Sequence, residues 1–353
     1  MKKPRLLTGD TSTGRLHLGH WVGSIENRVK MQDDYDCYFL IANIQAMTTR
    51  MDEPALVHQN VMEVMLDYLA TGIDPKKSTI LVQSEIAAIA ELTVFFSLLV
   101  PYPRLMRNPT IKDEIRDKGL GENYSVGFLL YPISQAADIL AFRADVVPVG
   151  EDQVPHLELT REVARRFNQV YCHVDTHAED AKHPELGGLF PIPETRLGRM
   201  KRLVGIGPPG PDGSLQKMSK SLNNAIFLSD DPDTVKKKVM AMYTDPNRLK
   251  ATDKGTIENN PLWIFHDTFN PDKIWLEEAK EKYRAGSIGD VECKRKLIEV
   301  LVSIIEPMRE RRLQYESDLH QVKNLLQEGT AKANETANAT LLLAKEAMRQ
   351  RYF

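Results

Sequence analysis

Residues 5–20 read RLLTGDTSTGRLHLGH, and this stretch decides the fold class. Its first four residues are typical of a short strand, GDTSTGR is rich in turn-forming residues, and the apolar spacing that follows predicts a helix beginning near His17. A strand, a glycine-containing loop and a helix in this order are typical of an α/β fold. Such folds bind phosphate-bearing ligands outside the carboxyl ends of their strands.

The same alternation continues along the chain. Residues 37–44 (CYFLIANI) and 79–83 (TILVQ) are apolar runs typical of buried strands, and residues 54–71 between them have helical periodicity. A further strand is predicted at 144–149. We therefore predict a Rossmann-like parallel sheet in an α/β fold.

Two regions depart from this alternation. Residues 85–145 are more helical and indicate a helical insertion in the sheet domain, and the chain is all-helical from about residue 232 onward. We expect a sheet domain at 1–228, an all-helical C-terminal domain at 229–320, and a last helix within 321–353 that packs back on the sheet domain.

Composition excludes several classes of protein. Of the 353 residues, 42% are apolar and 27% charged, and the net charge is −3, which is normal for a globular protein and decides nothing about an RNA partner. The cysteines at 37, 172 and 293 are too far apart for a metal or disulfide framework. The start MKKPRLLTGD lacks the apolar stretch of a signal peptide, and the longest apolar run, 92–100, is half a membrane span. We expect a cytoplasmic protein with no structural metal and no membrane partner.

The first chemical motif is His17-Leu18-Gly19-His20, at the predicted helix start. Both histidines can donate to phosphate oxygens as negative charge builds up, and Gly19 removes a side chain where a nucleotide must approach closely. The alternative is that they are ordinary surface histidines.

The second motif is Lys217-Met218-Ser219-Lys220-Ser221, nearly 200 residues later. Two lysines in a short loop make a mobile clamp for a pyrophosphate leaving group. A solvated basic loop is the alternative, but this pentapeptide is rare. The nearby GIGPPG at 205–210 fits a dinucleotide-binding pattern on paper, yet its two prolines deny the helix that such a site requires, and no P-loop is present.

In this order and spacing the two motifs resemble the paired signatures of class I aminoacyl-tRNA synthetases. The stretch YPISQAADILAFRADVVPVGEDQVPHLELTREVARRFN at 131–168 closely resembles tryptophanyl-tRNA synthetases of a divergent bacterial type, and tyrosyl enzymes less so. The resemblance implies ATP-dependent activation of L-tryptophan and its transfer to tRNA(Trp). It also implies a homodimer with its interface in the 85–145 insertion, and an anticodon-recognition role for 229–320. Mg²⁺ would arrive with ATP.

The resemblance also assigns residues. The catalytic set comprises His17, His20, Lys217 and Lys220. The ATP-binding set comprises Gly9, Thr11, Ser12, Thr13, Gly19, His20, Gly150, Glu151, Asp152, Leu203, Lys217, Met218, Ser219, Lys220 and Ser221. The tryptophan-binding set comprises Asp138, Tyr131, Gln153, Gln135 and Gln45.

Asp138 is the residue expected to read the substrate side chain. A buried carboxylate needs a donor and an indole N–H is donor-only, so each satisfies the other. The alternative is a helix carboxylate paired with a core arginine such as Arg143. Departures from the usual family sequence fall in the same region: Thr11 lies in an altered phosphate loop, Gln135 replaces a usual methionine, and Gln45 a usual histidine.

Three other functions stay open at this stage. A tyrosyl-tRNA synthetase shares both motifs, and a phenol hydroxyl could also use Asp138. A small-molecule nucleotidyltransferase can use HxGH without tRNA, although the chain length and the second motif oppose it. An inactive paralogue is disfavoured because both histidines and both lysines are present.

Overall fold

The computed structural model describes residues 3–117, 119, 121, 123–198, 202–245, 248, 250 and 252–353. The described strands are β1 (Arg5–Thr11), β2 (Asp36–Ala42), β3 (Ser78–Val82), β4 (Val146–Val149) and β5 (Glu194–Leu197). All their pairings are parallel, and the strand order is β3-β2-β1-β4-β5. The order therefore reverses between β1 and β4, and in such sheets the ligand crevice lies at this point.

Helices fill the connections between strands. Before β4 they are α1 (Leu18–His20), α2 (Glu26–Met31), α3 (Asn43–Arg50), α4 (Pro54–Thr71), α5 (Ala87–Ser97), α6 (Tyr102–Met106), α7 (Pro109–Asp117) and α8 (Val126–Ala141). After β4 they are α9 (Val154–Tyr171), α10 (Pro232–Met240), α11 (Pro261–Phe269), α12 (Lys273–Ala285), α13 (Asp290–Glu316) and α14 (Leu319–Ala347). A π-helical turn, Trp21–Ile25, joins α1 to α2. The predicted fold class, a parallel α/β sheet with a helical insertion and a helical C-terminal part, is confirmed.

The predicted strand at 37–44 is too long at its end, because α3 already begins at Asn43. The Gln83 side-chain oxygen accepts the N–H groups of Ile44 and Gln45, at 3.1 and 3.3 Å. These are first-turn N–H groups, which have no partner inside their own helix. A distant side chain thus starts this helix, and local sequence does not show it.

The sheet separates two hydrophobic cores. Successive side chains of a strand point to opposite faces, so Phe39 packs with α4 and the C-terminal helices while Leu40 packs with α5, α8 and α9. Both faces of β2 are buried, which explains its unbroken apolar sequence. Within the described ranges, no helix combines the length and apolar composition needed to span a bilayer.

Helix α14 covers the outer edge of β3. The Thr330 hydroxyl accepts the N–H of Val82 at 3.2 Å, and a Cβ on Gly329 would lie 2.2 Å from the carbonyl oxygen of Ile80. The helix therefore reaches the strand backbone directly, and only glycine permits this approach.

We expect Gly329→Ala to destabilise the protein by about 2 kcal/mol or more, because the added methyl group overlaps the strand backbone. Helix propensity alone predicts the opposite sign, since alanine is favoured over glycine inside a helix by about 1 kcal/mol. Urea unfolding followed by circular dichroism measures the difference. The adjacent exposed position provides the control, and Glu328→Ala should leave the midpoint nearly unchanged.

Candidate active site

The HxGH turn, residues 17–20, fixes the chemical state of its two histidines. His17 caps α1, and its Nδ1 accepts the N–H of Gly19 at 3.1 Å, while Nδ1 of His20 accepts the N–H of His17 at 3.1 Å. Because a backbone N–H can only donate, each Nδ1 is an acceptor, and the proton of each neutral ring sits on Nε2. Burial lowers the pKa of His20 to about 4 and that of His17 well below its usual value. At neutral pH both rings are therefore neutral and have an Nε2–H to donate.

Gly19 allows these rings to lie close together. The two imidazole centroids are 3.9 Å apart, and a Cβ on Gly19 would lie 2.9 Å from Cε1 of His17 and 3.7 Å from Cβ of Met218. A larger residue would displace either the His17 ring or the loop that carries the two lysines.

The KMSKS loop, residues 217–221, is held by its neighbours. Met218 is buried, and its N–H donates to the carbonyl of Leu203 at 3.1 Å. The side chain of Asn224 accepts the N–H of Ser219 at 2.7 Å and donates to the carbonyl of Lys217 at 3.1 Å. The side chains of Leu203 and Met218 both belong to the hydrophobic core on one face of the sheet.

Lys220 crosses from this loop to the loop after β1. Its Nζ donates to the carbonyl of Gly14 at 2.8 Å and to the Thr13 hydroxyl at 3.3 Å. Burial lowers the pKa of Lys220 to about 8. Beside it, the hydroxyls of Ser219 and Ser221 are 2.9 Å apart.

Backbone pairing joins the two motifs. His17 forms an antiparallel bridge with Phe227, Leu18 N–H donates to the Ile226 carbonyl at 3.0 Å, and Leu228 N–H donates to the Leu16 carbonyl at 3.0 Å. The segment just after the KMSKS loop therefore lies along the start of the HxGH turn, although nearly 200 residues separate them in sequence.

The end of β1 and the residues just after it include the predicted ATP-binding positions Gly9, Thr11, Ser12 and Thr13. The strand is longer than predicted, because Gly9 and Thr11, expected in the turn-rich loop, still pair with Leu40 and Ala42 in the β1–β2 ladder. Ser12 is fully buried, and its hydroxyl has no hydrogen-bond partner among the described residues. A buried polar group in that state is a candidate ligand contact.

Asp138 lies on α8 and is 3% exposed. The amide of Gln83 donates to both of its carboxylate oxygens, at 2.9 and 2.8 Å. This amide, and not Arg143, is its hydrogen-bond partner within the described structure. Burial raises the pKa of Asp138 to about 7. The buried amide nitrogen of the neighbouring Gln45 has no partner among the described residues.

The other predicted tryptophan-binding residues continue along α8. Tyr131, Gln135 and Asp138 follow helical spacing on one face, and the Gln135 amide donates to the Gln153 side-chain oxygen at 3.4 Å. The Tyr131 hydroxyl lies 3.0 Å from Nε2 of His156.

The turn after β4 carries the residues predicted to meet the ribose. Gly150 precedes the three-residue 3₁₀ turn Glu151–Gln153, directly beyond the carboxyl end of β4. The Asp152 side chain lies outside the described part of the structure. This turn and the loop after β1 flank the point at which the strand order reverses.

The family model for class I tRNA synthetases (W and Y) matches residues 1–306. The chain belongs to this family. It is therefore an aminoacyl-tRNA synthetase, as predicted, and the alternative of a small-molecule nucleotidyltransferase is wrong.

Similar proteins align with most or all of the synthetase's length. Tryptophan–tRNA ligases of Streptococcus pyogenes and Lactococcus lactis are each 48% identical over 357 aligned residues, with all of both chains covered. The crystal structure of Campylobacter jejuni tryptophanyl-tRNA synthetase complexed with ADP and tryptophan is 29% identical, with a TM-score of 0.79 over 98% of this chain and 99% of that one. A tyrosyl-tRNA synthetase of Archaeoglobus fulgidus, 21% identical, matches with a TM-score of 0.62 over 88% of this chain and 90% of that one, which shows the shared fold alone.

Three side chains that contact predicted site residues of the synthetase were not predicted from sequence: Gln83, His156 and Asn224. Asn224 follows the KMSKS motif by three residues, so its position was a usable signal. Gln83 ends a predicted strand, where site residues of α/β folds gather, but its contact with α8 depends on packing that local sequence does not reveal.

Proposed function

We propose that the synthetase is a tryptophan–tRNA ligase. The carboxylate of L-tryptophan attacks the α-phosphorus of ATP, an oxygen–phosphorus bond forms, and pyrophosphate leaves. The tRNA 3′ ribose hydroxyl then attacks the acyl carbon, which yields tryptophanyl-tRNA and AMP. The observation that supports tryptophan as the substrate is the buried Asp138, whose carboxylate is oriented by the Gln83 amide and suits a donor-only indole N–H.

The roles of the side chains follow from their chemical state. His17 and His20 are neutral and donate from Nε2 to the phosphate oxygens as charge moves onto them. Lys217 and Lys220 stabilise the leaving pyrophosphate. The Lys220 ammonium donates to Thr13 and to the Gly14 carbonyl in the loop after β1, so it lies across the side of the crevice where we place the phosphates. Positioning and charge supply the rate, as is usual in phosphoryl chemistry.

We propose that ATP lies along the HxGH turn, the loop after β1 and the turn Glu151–Gln153. The orphaned Ser12 hydroxyl supports a polar ligand there. The described residues contain no cluster of three side chains able to hold a metal ion, and we propose that Mg²⁺ enters bound to the phosphates of ATP.

We propose that residues 229–320 contact the anticodon end of tRNA(Trp), with the 3′ end reaching the crevice. These helices are joined to the sheet domain through α13, which packs along α4. A cytoplasmic location, suggested by the free cysteines, stays a prediction.

We propose a homodimer through the 85–145 insertion. Four large apolar side chains there are 60–73% exposed: Val94, Leu98, Tyr102 and Val126. Val94 and Leu98 are four residues apart, so they share one face at the end of α5. A second copy of the chain would cover such a patch.

We expect Leu98→Glu to convert a dimer into a monomer of 40.0 kDa, because the carboxylate would be buried in an apolar interface. Light scattering coupled to gel filtration gives the mass. The control is Ile274→Glu, an exposed apolar residue of α12 far from the insertion in sequence, which should leave the mass unchanged. A wild-type mass of one chain contradicts the proposal.

Amino-acid-dependent exchange of pyrophosphate into ATP tests the substrate. We expect exchange with tryptophan and at least about 10⁴-fold lower kcat/KM with phenylalanine, since phenylalanine leaves Asp138 without a donor. Tyrosine-dependent exchange in place of tryptophan would overturn the proposal in favour of the tyrosyl alternative.

A further inference from the structure

Arg312 links the helical C-terminal part to the sheet domain. It lies near the end of α13, is only 5% exposed, and is surrounded by three carboxylates. Its Nε donates to Glu316 on its own helix at 2.7 Å, and its Nη2 donates to Glu63 on α4 at 2.6 Å. Its Nη1 donates to Oδ1 of Asp67, one turn further along α4. A planar guanidinium can hold several carboxylates at once in fixed directions.

Asp67 connects Arg312 to the segment that begins the HxGH turn. It is fully buried, and its second oxygen, Oδ2, accepts the backbone N–H of Leu16 at 2.6 Å. Leu16 directly precedes His17. The carboxylate is therefore held by α13 on one oxygen and holds the start of the HxGH turn with the other.

Leu16 also belongs to the backbone pairing between the two catalytic motifs. Its carbonyl accepts the N–H of Leu228, and two residues later the N–H of Leu18 donates to the carbonyl of Ile226. The segment 16–18 therefore carries the histidines and also aligns the chain that follows the KMSKS loop. A shift of this segment would move both sets of phosphate-binding groups together.

We propose that Arg312 is a positioning residue for adenylate formation, acting through Asp67 and the backbone N–H of Leu16. This inference rests on the proposed function, because it assigns Arg312 to the step in which the histidines and lysines act on ATP. A displacement of about 1 Å in such groups is enough to lower a rate by about 100-fold.

The adjacent residue provides a matched control. Arg311 lies on the same helix and also donates to α4, from its Nε to the carbonyl of Ala70 at 2.7 Å, but the structure shows no bond from it to Asp67 or Leu16. Arg311→Met removes one hydrogen bond between α13 and α4, whereas Arg312→Met removes the bonds to both Glu63 and Asp67. Only Arg312→Met breaks the connection to the HxGH turn.

We expect Arg312→Met to lower kcat for ATP–pyrophosphate exchange by about tenfold to 100-fold, with KM for tryptophan changed less than about twofold. Arg311→Met should keep kcat within about twofold. Melting temperatures of both variants are measured alongside. A purely structural role would lower the melting temperature of Arg312→Met but leave the kcat of the folded enzyme unchanged, and that result overturns the proposal, as does an equal loss of kcat in both variants.

Arg312→Lys provides a second test in case Arg312→Met does not fold. It keeps the buried positive charge, but a single ammonium group cannot replace the three-way contact of the guanidinium, so we expect a smaller fall in kcat. Wild-type kcat in a folded Arg312→Lys enzyme would also overturn the proposal. All variants are compared with wild type using whichever amino acid supports exchange, so a failure of tryptophan as substrate is seen in the wild-type enzyme and does not obscure the comparison.

Discussion

Lys220→Ala is expected to lower kcat for tryptophan-dependent ATP–pyrophosphate exchange by about 100-fold or more. The Lys220 ammonium lies across the crevice on the carbonyl of Gly14, where the leaving pyrophosphate gains charge in the proposed reaction. Removal of one charge-stabilising donor from such a site costs about two to three orders of magnitude in rate. The KM for tryptophan should change little, since the hydrogen bonds of Lys220 in the described structure go to Thr13 and Gly14 and not to Asp138 or Gln83. An exposed lysine of α10 provides the control, and Lys236→Ala should exchange as wild type.

The pH dependence of the same variant tests whether the positive charge of Lys220 is the cause of its effect on the rate. Burial lowers the pKa of Lys220 to about 8, so the free enzyme loses this positive charge as pH rises through 8. The wild-type kcat/KM for ATP, which reports groups of the free enzyme, should therefore fall above about pH 8. Lys220→Ala has no such charge to lose, and its profile should lack that decline. An identical decline in both enzymes would assign it to another group.

Asp138→Asn is expected to lower kcat/KM for tryptophan by about 100-fold, although the two side chains have nearly the same shape. The Gln83 amide cannot rotate freely, because its oxygen accepts the N–H groups of Ile44 and Gln45. Its NH₂ must therefore face residue 138, and an asparagine there has to turn its own oxygen toward Gln83. The asparagine NH₂ then faces the indole N–H, and because both groups are donors they cannot form a hydrogen bond. Loss of a hydrogen bond to a charged group and an unpaired donor together account for the predicted factor.

A second substitution tests this directional argument. In Asp138→Asn/Gln83→Glu, one oxygen of the new glutamate still accepts the two N–H groups, and the other accepts the asparagine NH₂. The asparagine oxygen is then presented to the indole, so kcat/KM for tryptophan should recover by about tenfold over the single variant. Measurement of exchange with Gln83→Glu alone completes the cycle. If the double variant is as impaired as Asp138→Asn, the charge of Asp138 matters and the direction of its partner does not.

The fold was predictable because buried parallel strands have unbroken apolar sequences, and because short strands alternate with helices from the first residues. The end of β2 was not predictable. The helix α3, which begins where the strand was expected to continue, is capped by Gln83, about 40 residues away. Local periodicity carries no information about a capping group that arrives from another strand.

The HxGH and KMSKS motifs, proposed to be catalytic, could be recognised by their residues, but their distance in space could not be derived from sequence. Their proximity depends on the bridge between His17 and Phe227 and on the reach of Lys220 to the loop after β1. Asp138 was assigned from a resemblance together with the chemistry of indole. The partner that orients it, Gln83, is visible only when β3 and α8 are packed together.

The contact of α14 with β3 also has a consequence for biosynthesis. A ribosome releases Val82 long before Thr330, since 248 positions separate them. At a synthesis rate of about 5–20 residues per second, roughly 10 to 50 seconds pass between the synthesis of β3 and that of the part of α14 that covers its edge. An uncovered strand edge is a template for pairing with other chains. Polypeptides that stall or terminate before α14 is made should therefore aggregate, and the sheet reaches its final protected form only late in translation.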